Sequence, residues 1–197
     1  GGVIVSNATL HNQDEILRKD IRIGDIVIVR RAGDVIPEIA RSLKERRIKN
    51  LSPFVFPVSC PVCGGDVAKD NDKDAVVRCT NNLDCIAQLT QGIIHFASKS
   101  GLNIESLGDK NIESLVQLGL VKNIKDIFKL TKEDLLKLDG FKEKLSQKII
   151  DSINTAKSNV SLSKFIFALG IRQVGESTSK SLAKHFNSIN ELKNVSI

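Results

Sequence analysis

The sequence predicts a multidomain α+β protein built from three small modules: part of a β-barrel, a cysteine module and an all-α tandem. Three observations carry that prediction. β-Branched residues crowd the stretch from Ile21 to Ile36, all four cysteines fall between Cys60 and Cys85, and apolar residues recur at three- and four-residue steps from Ile93 onward. The modules are placed at 1–52, 53–89 and 90–197. Charge divides the chain at nearly the same places: residues 1–59 carry 10 Lys and Arg against 7 Asp and Glu, 60–89 carry 3 against 5, and 90–197 carry 16 against 11. The net charge of +6 permits a nucleic-acid partner without establishing one. No apolar run approaches the roughly 20 residues of a membrane span, which excludes a transmembrane helix. Charged residues at 26% exclude wholesale disorder. With 8 Phe and neither Trp nor Tyr in 197 residues, the composition suits small units better than one large core. Met is absent and the chain opens Gly1-Gly2-Val3 in what reads as mid-strand, so an excerpt from a longer protein is expected.

The first module reads as strand, short helix, strand, turn, strand. Asn12 is a helix N-cap with Glu15 three residues later, so a helix should start there. Ile21, Ile23, Ile26, Val27, Ile28 and Val29 surround the turn dipeptide Gly24-Asp25, and a second turn at Ala32-Gly33-Asp34 leads to Val35, Ile36 and Pro37. Three strands cannot close a barrel, so the remaining ones are expected upstream of Gly1. Arg30-Arg31 at a strand end is either a phosphate contact or a solvated strand terminus.

In the second module Cys60 and Cys63 form C-x2-C followed by Gly64-Gly65, then Cys79 and Cys85. Four thiolates on two short turns can enclose one tetrahedral zinc, and glycines after Cys63 let backbone N–H groups face sulfur. The wider second pair should close over a helical turn. A disulfide pairing suits a secreted chain, and a redox C-x-x-C needs a βαβ setting that is absent here. Structural zinc held by Cys60, Cys63, Cys79 and Cys85 is therefore expected, with no position left open for catalysis. Reduced cysteines place the protein in the cytoplasm.

The last hundred residues should be helical and repetitive. Thr131 to Asp134 reads as a capping box, and Asn123 to Asp126 as a weaker one. One frame recurs every 33–34 residues: Ile104-Glu105-Ser106-Leu107-Gly108, Leu138-Asp139-Gly140-Phe141-Lys142 and Ile171-Arg172-Gln173-Val174-Gly175. A tetratricopeptide array has a similar period but needs longer paired helices and a Trp- and Tyr-bearing consensus. The frame resembles the helix-hairpin-helix motif, apolar-x-Gly-apolar-Gly. In that motif a tight turn exposes backbone N–H groups at the positive start of the second helix, where a DNA phosphate can sit without any base being read. Ser106 and Gln173 stand where the motif has its first glycine, and Lys142 where it has its second. Candidate DNA contacts are Gly108, Lys110, Gly140, Lys142, Lys144, Gly175, Ser177 and Thr178. The bland alternative is helical turns packed for structure only.

Taken together, Ala8-Thr9-Leu10-His11-Asn12, Asp20 to Asp25 and Arg31 to Pro37 resemble the OB-fold domain of bacterial NAD-dependent DNA ligases. The four cysteines resemble that family's zinc finger in order and nearly in spacing, and the hairpin tandem follows as it does there. The resemblance spans all 197 residues. It implies an enzyme that seals nicks between 5′-phosphate and 3′-hydroxyl through enzyme-AMP and DNA-adenylate intermediates in replication and repair. NAD and Mg2+ would be bound outside these residues. It also implies three of the family's four hairpins here, nicked duplex DNA as partner, a monomer, and Arg30 and Arg31 as phosphate contacts of an OB module pressed on the minor groove. The rivals are a stand-alone helix-hairpin-helix repair or recombination factor and a protein-binding zinc-and-helix module.

Lys137-Leu138-Asp139-Gly140 spells the K-x-D-G motif whose lysine takes AMP in covalent nucleotidyl transferases. It lies inside the second hairpin, and a nucleophilic lysine needs a buried pocket that lowers its pKa. The match is read as accidental, with no catalytic residue expected in this chain. His11 is expected to fix a turn by hydrogen bonding, and His95 and His185 to pack on helices.

Overall fold

A computed structural model describes residues 4–33, 35–71 and 74–194. The chain divides into two units, residues 1–81 and 82–197.

In the first unit the helix expected at Asn12 runs over Gln13–Lys19 (α1), with the Asn12 side chain accepting from the Glu15 N–H. Asp14 and Glu15 in its first turn and Arg18 and Lys19 in its last complement the helix dipole, and Ile16 is buried beneath it. Strands Val27–Ala32 (β1) and Ile36–Ser42 (β2) form an antiparallel hairpin from Ala32↔Ile36 to Val27↔Ser42, with a bulge at Ile28/Val29. Gly33 takes the left-handed backbone in the connecting turn, and Asp34 lies outside the described residues, as does the strand expected at Gly1–Val3. Thr9 adds a single parallel bridge to Glu38. The sheet has two strands, and no closed barrel is present among the described residues.

The turn expected at Gly24-Asp25 forms, but Ile21 and Ile23 before it do not join a strand. Asp25 accepts from the Arg22 N–H, and its own N–H donates to the Arg22 carbonyl, which closes a turn through Gly24 at φ +94°. Arg47 then grips Asp25 through two nitrogens, at 2.7 and 2.8 Å, and Asp20 through a third at 2.8 Å. Local side-chain bonds from aspartate outcompete the ladder that the isoleucines alone would favour.

A second antiparallel hairpin, Val67–Lys69 (β3) with Val77–Cys79 (β4), lies in the cysteine module. The second unit is all α: Ile86–Ala97 (α2), Asp109–Gln117 (α3), Ile124–Ile127 (α4), Lys132–Leu135 (α5), Glu143–Asn159 (α6), Leu162–Ala168 (α7), Glu176–His185 (α8) and Ile189–Asn194 (α9). Both expected caps form: Thr131 and Asp134 make a reciprocal capping box, and Asn123 caps α4. Ile93, Phe96, Ile112, Leu115, Ile127, Leu135 and Ile149 are fully buried in one core. Each such side chain contributes about 1.5–3 kcal/mol. Phe96 meets Phe128 and Phe165 edge to face at 5.8 and 6.4 Å. After α2 the chain doubles back so closely that a Cβ on Gly101 would lie 2.4 Å from the His95 carbonyl oxygen, which only glycine allows. No helix among the described residues is long and apolar enough to cross a membrane.

Candidate metal centre and nucleic-acid interface

The cysteine module is shaped by two turns. Gly64 takes φ +72° and donates its N–H to the Cys60 carbonyl at 2.8 Å, while the Cys60 N–H donates to the Gly65 carbonyl at 2.8 Å. The β3–β4 hairpin sets Cys79 opposite Val67. A 3-10 turn over Asn82–Asp84 then carries the chain to Cys85, the residue from which α2 starts, so the wide second pair does close over a helical turn. The four Sγ atoms lie within 4.8 Å of one another, and Cys63 and Cys79 are 3.5 Å apart. A tetrahedral zinc with bonds of about 2.3 Å separates its sulfurs by about 3.8 Å, so the cluster fits that ion. Backbone N–H groups of Cys63 and Val62 hold the Cys60 thiol down to about 7, favouring the thiolate a metal requires.

The three recurring frames adopt one backbone. In each, the fourth residue's N–H donates to the first residue's carbonyl: Leu107 to Ile104, Phe141 to Leu138 and Val174 to Ile171. The third residue is left-handed each time, with φ of +65° at Ser106, +78° at Gly140 and +64° at Gln173. The fifth, Gly108, Lys142 or Gly175, is the extended N-cap of a long second helix, α3, α6 or α8. Missing glycines therefore do not change the turn. Ser106 and Gln173 tolerate the left-handed region, and the extended fifth position suits lysine as well as glycine.

The helix starts themselves differ in a consistent way. Helices α1, α4, α5 and α7 are capped by the side chains of Asn12, Asn123, Thr131 and Ser161. Helices α3, α6 and α8 have no side-chain cap, a feature shared only with α2 among the α-helices whose cap is described. After every hairpin turn the second helix thus starts without a bond from its N-cap side chain, at the positive end of the dipole. Gly108, Lys110, Gly140, Lys142, Lys144, Gly175, Ser177 and Thr178 are all exposed at these turns.

Arg30 and Arg31 are both exposed, but they are neighbours on a strand and so point to opposite faces. Arg30 gives its Nε to the buried carboxylate of Glu38 at 2.5 Å, leaving 67% of its side chain open, whereas Arg31 pairs with no carboxylate among the described residues. The other Glu38 oxygen lies 2.6 Å from Nε2 of His11, itself left-handed at φ +64°. His11, then Arg30, hold the Glu38 carboxyl below its ordinary value. The histidine side chain thus ties its segment to strand β2 across 27 residues, rather than fixing a local turn. Lys137 is exposed and bonded to Asp134 at 2.8 Å, with Leu135 and Leu138 beneath it. That arrangement provides no pocket for a nucleophilic lysine. Sequence reasoning missed Glu38 and the Arg47 clamp, which join residues 8 to 27 positions apart without a motif.

Four family models match the chain in order. They are the NAD-dependent DNA ligase OB-fold domain over residues 1–51, the NAD-dependent DNA ligase C4 zinc finger domain over 59–87, a SAM-like helix-hairpin-helix tandem over 102–155, and a helix-hairpin-helix motif over 164–197. The tandem covers the first two frames and the single motif the third, so the repeat seen in backbone geometry and the family matches coincide. Two ligase-specific domains, a zinc-fitting cysteine cluster and helix-hairpin-helix motifs in this order support the chain as a fragment of an NAD-dependent DNA ligase, carrying that family's DNA-binding motifs.

Proposed function

We propose that residues 1–52, 53–89 and 90–197 act as OB, zinc and hairpin modules that hold nicked duplex DNA for an enzyme of the bacterial cytoplasm, working as a monomer. The observation that carries this reading is the set of uncapped helix starts behind the three hairpin turns. Backbone N–H groups bind phosphate without reading bases, which suits an enzyme that must act at any sequence. Gly108, Lys110, Gly140, Lys142, Lys144, Gly175, Ser177 and Thr178 are the contacts assigned to the hairpins, and Arg30 and Arg31 those assigned to the OB module. Arg31, free of carboxylate partners among the described residues, is the stronger of the pair. Cys60, Cys63, Cys79 and Cys85 hold one structural zinc, which ties two turns of a module with little core of its own. NAD and Mg2+ serve the sealing reaction and bind outside these residues. Fluorescence anisotropy with nicked duplexes of unrelated sequence tests the proposal. Affinities within a few-fold of each other support it, and a strong preference for one sequence overturns it.

A further inference from the structure

Gly65 and Asn81 are 16 positions apart and meet beside Cys63. The Asn81 Nδ2 donates to Cys63 Sγ at 3.5 Å. A Cβ placed on Gly65 would lie 2.3 Å from that same Nδ2, 2.7 Å from Cγ and 3.0 Å from Oδ1, so the carboxamide lies flat against the glycine. Gly65 is not in the left-handed region, unlike Gly64 beside it. Its backbone could therefore carry a side chain, and the room it leaves is occupied by Asn81.

The geometry points to Asn81 as a positioning residue of the metal centre, held over Gly65 so that its carboxamide donates to the Cys63 sulfur. This rests on the zinc reading of the four cysteines. Four thiolates bring more negative charge than one divalent ion neutralises, in a module that already carries 5 acidic against 3 basic residues. An N–H donor on sulfur offsets part of that charge and fixes the direction of the ligand. Cys60 receives backbone N–H groups for the same purpose, and Cys63 receives this side chain.

The test compares zinc-loaded wild type with Asn81→Ala, Gly65→Ala and the double variant, following zinc transfer to an excess of a coloured chelator. Each single change is expected to speed release about tenfold, as loss of an outer hydrogen bond to a ligand typically does. The double change should add nothing, because both singles remove the same bond. In cobalt-loaded protein the thiolate-to-metal charge-transfer band should move to lower energy in both singles, a change that loosened packing alone does not produce. Asn81→Ala imposes no backbone constraint, so its band position decides the matter even if Gly65→Ala folds poorly. A wild type that holds metal, with Asn81→Ala releasing it at the same rate and an unmoved band, overturns this inference alone. A wild type that takes up neither zinc nor cobalt overturns the metal site and this inference with it.

Discussion

Ser106 and Gln173 hold a left-handed backbone that glycine adopts without steric cost. Ser106→Gly and Gln173→Gly should each stabilise the chain by about 0.5–1 kcal/mol, the relief of strain exceeding the added freedom of the unfolded chain. Gly140→Ala, at the matching position of the second hairpin, should cost about 1 kcal/mol. Urea unfolding of the three variants checks both signs at once, and DNA affinity should change little where the turn is kept. The frame that places these residues was legible in the sequence because it repeats at a fixed period. What each residue does there was not, since apolar-x-Gly-apolar-Gly does not say which glycine answers to φ and which to space. The Asn81 contact with Cys63 was equally hidden, because only the β3–β4 hairpin brings the two together.

Helix starts fall into capped and uncapped sets, and the contrast makes a prediction with opposed signs. Gly108 and Gly175 have extended backbones with open space where a Cβ would go, so aspartate fits at either. Gly108→Asp and Gly175→Asp should raise stability by a few tenths to about 1 kcal/mol, by capping the helix and complementing its dipole. The same substitutions should weaken DNA binding, because a carboxylate then occupies the N–H groups a phosphate would use. Binding and unfolding measured on one preparation separate the two effects. In the first unit, Arg47 depresses the Asp25 and Asp20 carboxyls, and both carboxyls therefore bind protons more weakly folded than unfolded. Their contribution is present above the ordinary carboxylate range and is lost as pH falls through the depressed values. Thermal stability of the β1–β2 unit should accordingly decline below about pH 4, and Arg47→Ala should flatten that decline. Caps at Asn12, Asn123 and Thr131 could be read from sequence, since a cap is a local pattern. The turn at Gly24-Asp25 could be read for the same reason, but not the clamp that holds it, because Arg47 lies more than twenty residues away.

Across the whole chain, module order was the legible property: β-rich, cysteine-bearing and helical segments follow one another in composition, in charge and in family matches alike. Of the 16 basic residues after residue 89, 15 are lysines, point charges that suit phosphate contact without base reading. Several of these spend their charge within the protein, as Lys129, Lys137, Lys148 and Lys180 do on neighbouring carboxylates. Net charge is for that reason a poor guide to the interface, and the uncapped helix starts a better one. The claim that three hairpins and their flanking lysines grip DNA through its phosphates is tested most directly by titrating a nicked duplex over a range of salt concentrations. If each hairpin takes at least one phosphate, the logarithm of the association constant should fall against the logarithm of salt with a slope of about −3 or steeper. A slope near zero would contradict the account.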